Sequence, residues 1–209
     1  MQSQLQMKRF DVFPTSLVVF DWSSVFSEAD VENMISDIDA IIEDGRHLQI
    51  NERTPRWQCK PILFNPEITP GQHWQRLAQT FSQSCHLYTE NVQDFCNNQN
   101  ALEPGGLRAW FYKGYKSLNE TQKNPWHNHS PSFLSGVFYL RVPGDHSVGG
   151  TEFRDGRGPG MRSIRDIVML PYTLSWTIFP GWMDHRSSRV DTEDPRYVIA
   201  ADCYIKVRA

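Results

Sequence analysis

From about Leu107 to the end of the chain, short apolar runs alternate with clusters of Gly, Pro, Asp and Ser, and this rhythm constrains the fold more than any other feature. The runs 107–115, 134–140, 177–180 and 196–205 are rich in β-branched and aromatic residues, and each is too short to hold a helix on its own. Strands of this length, bounded by turn residues, build a closed antiparallel architecture that leaves few unpaired edges. Such a sheet has two faces, one enclosing an interior and one that needs cover.

The first half of the chain supplies the cover. Ser27 is a helix N-cap with Glu28 and Asp30 in the first turn, Val31, Ile35, Ile38 and Ile42 recur at helical spacing, and Gly45 stops the helix. A second helix is expected over about 70–95, where Trp74, Leu77, Phe81, Tyr88, Val92 and Phe95 make one apolar face of packing residues. Residues 16–20 read as a strand, and the Gln-rich opening and 97–100 read as polar loops. The expected fold is mainly β with α: a double-stranded β-helix, or cupin-like jelly roll, backed by N-terminal helices. One domain over 1–209 is expected, with 1–104 as supporting strands and helices and 105–207 as the jelly-roll core.

His127 and His129 stand at i and i+2 in Trp126-His127-Asn128-His129, so an extended backbone sends both rings to one face, where they can touch one ion. A third ligand must come from elsewhere. His185 suits the role, since it follows an apolar strand and a Pro180-Gly181 turn that can lift it to a sheet edge. His47, His73, His86 and His146 stand singly and read as surface or satisfied core residues. The assignment of His129 has a competitor: Asp145, Glu152 or Asp184 would complete the site if His129 pointed away.

These residues stand in an order that resembles a known family. The sequence is similar, over about residues 105–207, to the Fe(II)- and 2-oxoglutarate-dependent oxygenases, and most nearly to their prolyl-hydroxylase-like branch. That family's pattern is a His-x-Asp/Glu pair, a strand ending in Tyr-Leu, a Gly-Gly turn, a Phe-Pro segment leading to the distal His, and an Arg further on. His127, His129, Tyr139-Leu140, Gly149-Gly150, Phe179-Pro180, His185 and Arg196 occupy those places. One departure stands out: His129 replaces the usual carboxylate. Three neutral imidazoles keep the same open positions on iron but leave it one unit more positive, and His129→Asp would restore the usual set.

The resemblance implies that His127, His129 and His185 hold Fe(II) and that Arg196 grips the distal carboxylate of the co-substrate 2-oxoglutarate. Tyr139 would donate a second hydrogen bond to that carboxylate, and Tyr112 would line the keto-acid pocket. No catalytic residue beyond the metal centre is implied. On the residues alone, Tyr139 also suits an aromatic core position, Tyr112 and Trp110 also suit barrel filling, and Arg196 also suits an exposed strand start after Pro195. The implied activity is oxidation by dioxygen, namely hydroxylation with release of succinate and carbon dioxide. The substrate is not legible, though the prolyl-hydroxylase likeness points towards a protein or peptide side chain. Two other classes fit parts of the pattern: a three-histidine Fe(II) dioxygenase without keto acid, for which Arg196 is dispensable, and a non-catalytic β-barrel binding module, which needs none of these residues as ligands.

Composition is that of an ordinary globular protein, with 22% charged and 39% hydrophobic residues. No apolar run is long enough for a membrane span, and the opening residues lack the apolar core of a signal peptide, so a cytoplasmic location without membrane partners is expected. Cys59, Cys85, Cys96 and Cys203 form no Cys-x-x-Cys pair, which argues against structural zinc and suits a reducing compartment. A net charge of −3 gives no general attraction to nucleic acid. Nucleobase demethylation would need a basic groove, for which only Arg154, Arg157, Arg162 and Arg165 around the Gly-rich stretch 156–160 offer material. That stretch reads as a solvated loop, with a substrate-facing lid as the alternative.

Overall fold

A strand covered on both faces is written as a continuous apolar run rather than an alternation, and Leu134–Arg141 is such a strand, buried from Leu134 to Leu140. It lies at the centre of a computed structural model that describes residues 6–12, 15–49, 56–92, 102–115, 125–144, 149–154, 166–188 and 193–207. The elements in chain order are β1 (Gln6–Val12), β2 (Thr15–Asp21), α1 (Glu28–Asp44), β3 (Arg56–Gln58), α2 (Gln72–Asn91), β4 (Leu102–Gly114), β5 (Leu134–Arg141), β6 (Thr151–Phe153), β7 (Ile167–Met169), β8 (Ser175–Pro180), β9 (His185–Ser187) and β10 (Arg196–Val207).

The strands form two antiparallel sheets. The larger has seven strands in the order β1-β2-β8-β5-β10-β4-β3, and the smaller has three, in the order β7-β6-β9. Alternation along the large sheet separates two cores. Phe20, Phe111, Phe138, Trp176, Ile178 and Ile199 face the helices and pack with Met34, Ile38, Trp74, Leu77 and Phe81. Leu17, Val19, Val137, Tyr139, Phe179 and Val198 face inward and pack with Phe153 and Met169 of the small sheet. The result is a double-stranded β-helix with helices on one outer face, as the sequence pattern predicts.

The helices are fixed by their ends and by a few buried hydrogen bonds. Ser27 caps α1 and forms a reciprocal capping box with Asp30, while Gly45 ends the helix in the left-handed conformation. From α2, Tyr88 Oη donates to the Ser16 carbonyl at 2.7 Å, and Thr80 and Ser84 accept from the indoles of Trp176 and Trp22 at 3.1 and 2.9 Å. α2 spans a narrower range than the expected 70–95, and residues 93–95 lie outside the described segments.

Two features differ from the sequence reading. Residues 1–5 of the opening and 97–100, read as polar loops, lie outside the described residues, and from Gln6 onward the chain is a strand that pairs with β2 from Gln6↔Asp21 to Val12↔Thr15. Its polarity is that of an edge strand, with Met7 and Lys8 exposed. The first half also does more than support the sheet, because β2 inserts Leu17 and Val19 into the interior between the two sheets. Among the described residues no helix is long and apolar enough to cross a membrane.

Candidate metal centre

His127, His129 and His185 come together at the open end of the barrel, with ligand-capable nitrogens all within 4.8 Å of one another. Each ring arrives by a different backbone device. His185 begins β9, the edge strand of the small sheet, where it pairs with Phe153 of β6 on one side and forms a bridge with His127 on the other. Two backbone bonds make that bridge: His127 N to His185 O at 3.1 Å, and His185 N to His127 O at 2.9 Å. His129 N donates to Gly181 O at 2.7 Å. The 127–129 segment is thus extended but outside any named strand, held at both ends by the 181–185 turn. A Cβ at Gly181 would overlap the Ser132 backbone, so only glycine permits this approach.

The hydrogen bonds behind the rings set their tautomers. His127 Nδ1 lies 2.9 Å from Pro125 O, and His185 Nδ1 lies 2.9 Å from Met183 O. His129 Nδ1 lies 2.7 Å from Asp202 Oδ1. Carbonyl and carboxylate oxygens only accept, so each Nδ1 donates outward and each Nε2 is left for the shared space. Burial, together with the nearby His127 and His129, pushes His185 down to about 3, so it is neutral at physiological pH. Three imidazoles that converge on one shared space are a donor set for a first-row transition metal such as iron, and the residues present fit that ion.

A cavity runs from the histidines into the barrel, lined by Tyr112, Gly114, Val137, Tyr139, Gly150, Thr151, Ser187, Arg196, Val198 and Ala200. Arg196, 6% exposed, brings a permanent positive charge into this interior and donates to Gly149 O and Ser187 Oγ. It is not an exposed strand-start residue. Tyr139 is buried, its hydroxyl 2.6 Å from Thr151 Oγ1. Burial pushes the Tyr139 phenol up, against the partial offset of Arg196, so the hydroxyl keeps its proton and remains a donor. Tyr112 lines the cavity, whereas Trp110 packs against the His129 ring at 5.2 Å between centroids.

Two of the competing carboxylates are engaged elsewhere. Glu152 accepts from Arg186 at 2.6 Å, and Asp184 accepts from Asn128 at 2.9 Å, while Asp145 lies outside the described residues. His73 and His86 meet Asp37 and Glu90 away from the site, and His146 lies outside the described residues. Arg154 stacks on Trp126 at 3.8 Å and pairs with Asp166; Arg157, Arg162 and Arg165 lie outside the described residues. Sequence reasoning missed Asp202 and Ser135 behind His129. The available signal was one acid inside the otherwise apolar and small run 197–203, where a buried charge requires a partner.

The structure thus sets a three-histidine cluster at the mouth of a double-stranded β-helix and a buried arginine within it. Residues 113–202 match the family model described as putative 2OG-Fe(II) oxygenase. That segment is similar to the Fe(II)/2-oxoglutarate oxygenases, and the fold is one that prolyl hydroxylases share.

Solved structures with the same fold include the epimerase SnoN in complex with Fe3+, alpha ketoglutarate and nogalamycin RO, at 13% identity, TM-score 0.61, 92% of this chain and 81% of that one. HygX from Streptomyces hygroscopicus, with nickel and 2-oxoglutarate bound, is similar at 14% identity, TM-score 0.55, 91% of this chain and 83% of that one. A prolyl hydroxylase in complex with a hypoxia inducible factor peptide fragment, from Trichoplax adhaerens, is similar at 10% identity, TM-score 0.60, 90% of this chain and 83% of that one. These identities establish the fold alone. No curated protein matches the chain in sequence.

Proposed function

We propose that this protein is an Fe(II)- and 2-oxoglutarate-dependent dioxygenase that hydroxylates an organic substrate, with residues 1–209 acting as one catalytic unit. The observation that carries the proposal is the pairing, in one cavity, of three converging imidazoles with a buried arginine. A transition metal at the histidines and a dicarboxylate spanning to Arg196 satisfy both ends at once.

His127, His129 and His185 hold the ion through Nε2. Arg196 receives the distal carboxylate with its forked donors, and the Tyr139 and Thr151 hydroxyls add a donor beside it. Val137, Val198 and Ala200 form an apolar wall that excludes water around the keto acid. Bound there, Fe(II) with 2-oxoglutarate supplies dioxygen activation, the keto acid leaving as succinate and carbon dioxide while one oxygen atom passes to the substrate. The substrate class that the peptide-bound prolyl hydroxylase favours is a protein or peptide side chain, presented at the open end beside Trp126 and Trp182.

Anaerobic Fe(II) titration with and without 2-oxoglutarate tests this reading. A metal-to-ligand charge-transfer band that needs both components, and that is lost in Arg196→Ala, is the expected result. Iron binding without that band points to a keto-acid-free three-histidine dioxygenase. No iron binding at all leaves a binding module.

A further inference from the structure

The family's usual carboxylate ligand is missing from this site, yet a carboxylate is close by. Asp202 lies on β10 with its side chain 8% exposed, and its Oδ1 accepts from His129 Nδ1 at 2.7 Å and from Ser135 Oγ at 2.7 Å. Ser135 sits opposite Asp202 in the β5–β10 register and is itself 3.0 Å from Ser132 Oγ. The group is a small buried network that ends on the back of one ring.

We propose that Asp202 is a positioning residue for the metal centre: the negative charge that a ligand carboxylate normally supplies stands here behind His129, transmitted through the imidazole. The inference rests on the three-histidine reading of the site. Its physical basis is twofold. A neutral hydrogen-bonding residue would fix the His129 ring equally well without the desolvation penalty of a buried charge, so the carboxylate has to be matched by something positive. The ion supplies the match. The charge tally also closes: a dipositive ion and Arg196 are met by Asp202 and the two carboxylates of 2-oxoglutarate, which leaves the filled cavity neutral. Without Asp202 the same contents would carry one uncompensated positive charge in an apolar barrel.

Asp202 also changes what substitution at His129 should do. His129→Asp alone sets two carboxylates close together in a buried space, where they repel. His129→Asp combined with Asp202→Asn instead moves the charge from behind the ligand to the ligand position.

The test is Fe(II) titration of chelator-stripped protein under anaerobic conditions, with the Fe(III)/Fe(II) potential measured alongside. Asp202→Asn keeps shape and removes charge. It is expected to weaken Fe(II) binding about 10–100-fold, to shift the potential positive, and to leave the melting temperature of the metal-free protein near wild type. The double variant is expected to bind Fe(II) more tightly than either single variant. Wild-type affinity and potential in Asp202→Asn would overturn the proposal, as would weaker binding that appears only together with loss of the metal-free fold. Should Asp202→Asn not fold, the comparison of His129→Asp with the double variant decides, and a double variant no better than His129→Asp overturns it. The underlying three-histidine reading fails separately, if His129→Ala retains full Fe(II) affinity.

Discussion

His127, His129 and His185 were legible in the sequence because residue type and spacing carry most of the information: two rings at i and i+2, a third after a turn. Removing any one leaves too few protein ligands for tight binding. His127→Ala and His185→Ala should each lower Fe(II) affinity by at least about 100-fold, more than loss of a supporting residue does, as measured by anaerobic titration; unchanged affinity in either would remove that residue from the site. Asp202 was legible only as an acid in a run that expects burial, because its partner, His129, lies 73 residues away and is brought to it by the fold. Cys59 is a comparable case on the helix side. Burial pushes its thiol up to about 12 from 9.0, outweighing the Phe111 N–H that it accepts. Since the folded value is raised, this contribution to stability is complete below about pH 9 and is lost as pH rises towards about 12, with a slope of up to ~1.4 kcal/mol per pH unit. Urea unfolding of wild type and Cys59→Ala at pH 8 and pH 10 should show a steeper alkaline loss in wild type; identical losses would contradict the assignment.

Elements with local signals at both ends were readable, and those defined by their partners were not. α1 begins at a capping box and stops at a left-handed glycine, both visible in sequence. β3 and β7 have three residues each and exist because β4 and β6 lie alongside them, while β1 is a polar edge strand recognisable only from its pairing with β2. The turn from β8 to β9 shows how one connection can set the position of His129. Gly181 accepts from His129 N while passing close to Ser132. Gly181→Ala should therefore force the two segments apart, cost about 1–3 kcal/mol of stability and weaken Fe(II) binding in the same titration. Full retention of Fe(II) affinity would show that the turn does not control His129.

At the scale of the whole molecule, the helices cover one face of the large sheet and the small sheet covers the other, so the cavity belongs to the second interface alone. This layering was legible from the run of short strands after two amphipathic helices; the place of β2 between β1 and β8 was not, because strand order is set by long-range pairing. Ligands seated between the sheets should stabilise the whole fold. At 100 times its dissociation constant, 2-oxoglutarate added to the Fe(II)-loaded protein contributes ~2.7 kcal/mol, or about 5–10 °C of melting temperature for a chain of this size. Arg196→Ala should keep the increment from Fe(II) and lose most of the increment from 2-oxoglutarate, as read by thermal unfolding with each ligand in turn. Equal shifts in wild type and variant would separate Arg196 from the co-substrate.

On β10, alternate positions place Arg196, Val198, Ala200 and Asp202 towards the barrel interior, a span of about 20 Å between the first and last Cα. In the proposed reading, one end of that strand anchors the far carboxylate of the keto acid, and the other end, through His129, fixes the ion that holds the near one. The backbone between them is paired on both sides and cannot stretch. On that reading β10 acts as a gauge of co-substrate length. A keto diacid one methylene shorter or longer than 2-oxoglutarate should compete at least about tenfold less well for the charge-transfer complex, because it can satisfy one end of the strand only by releasing the other.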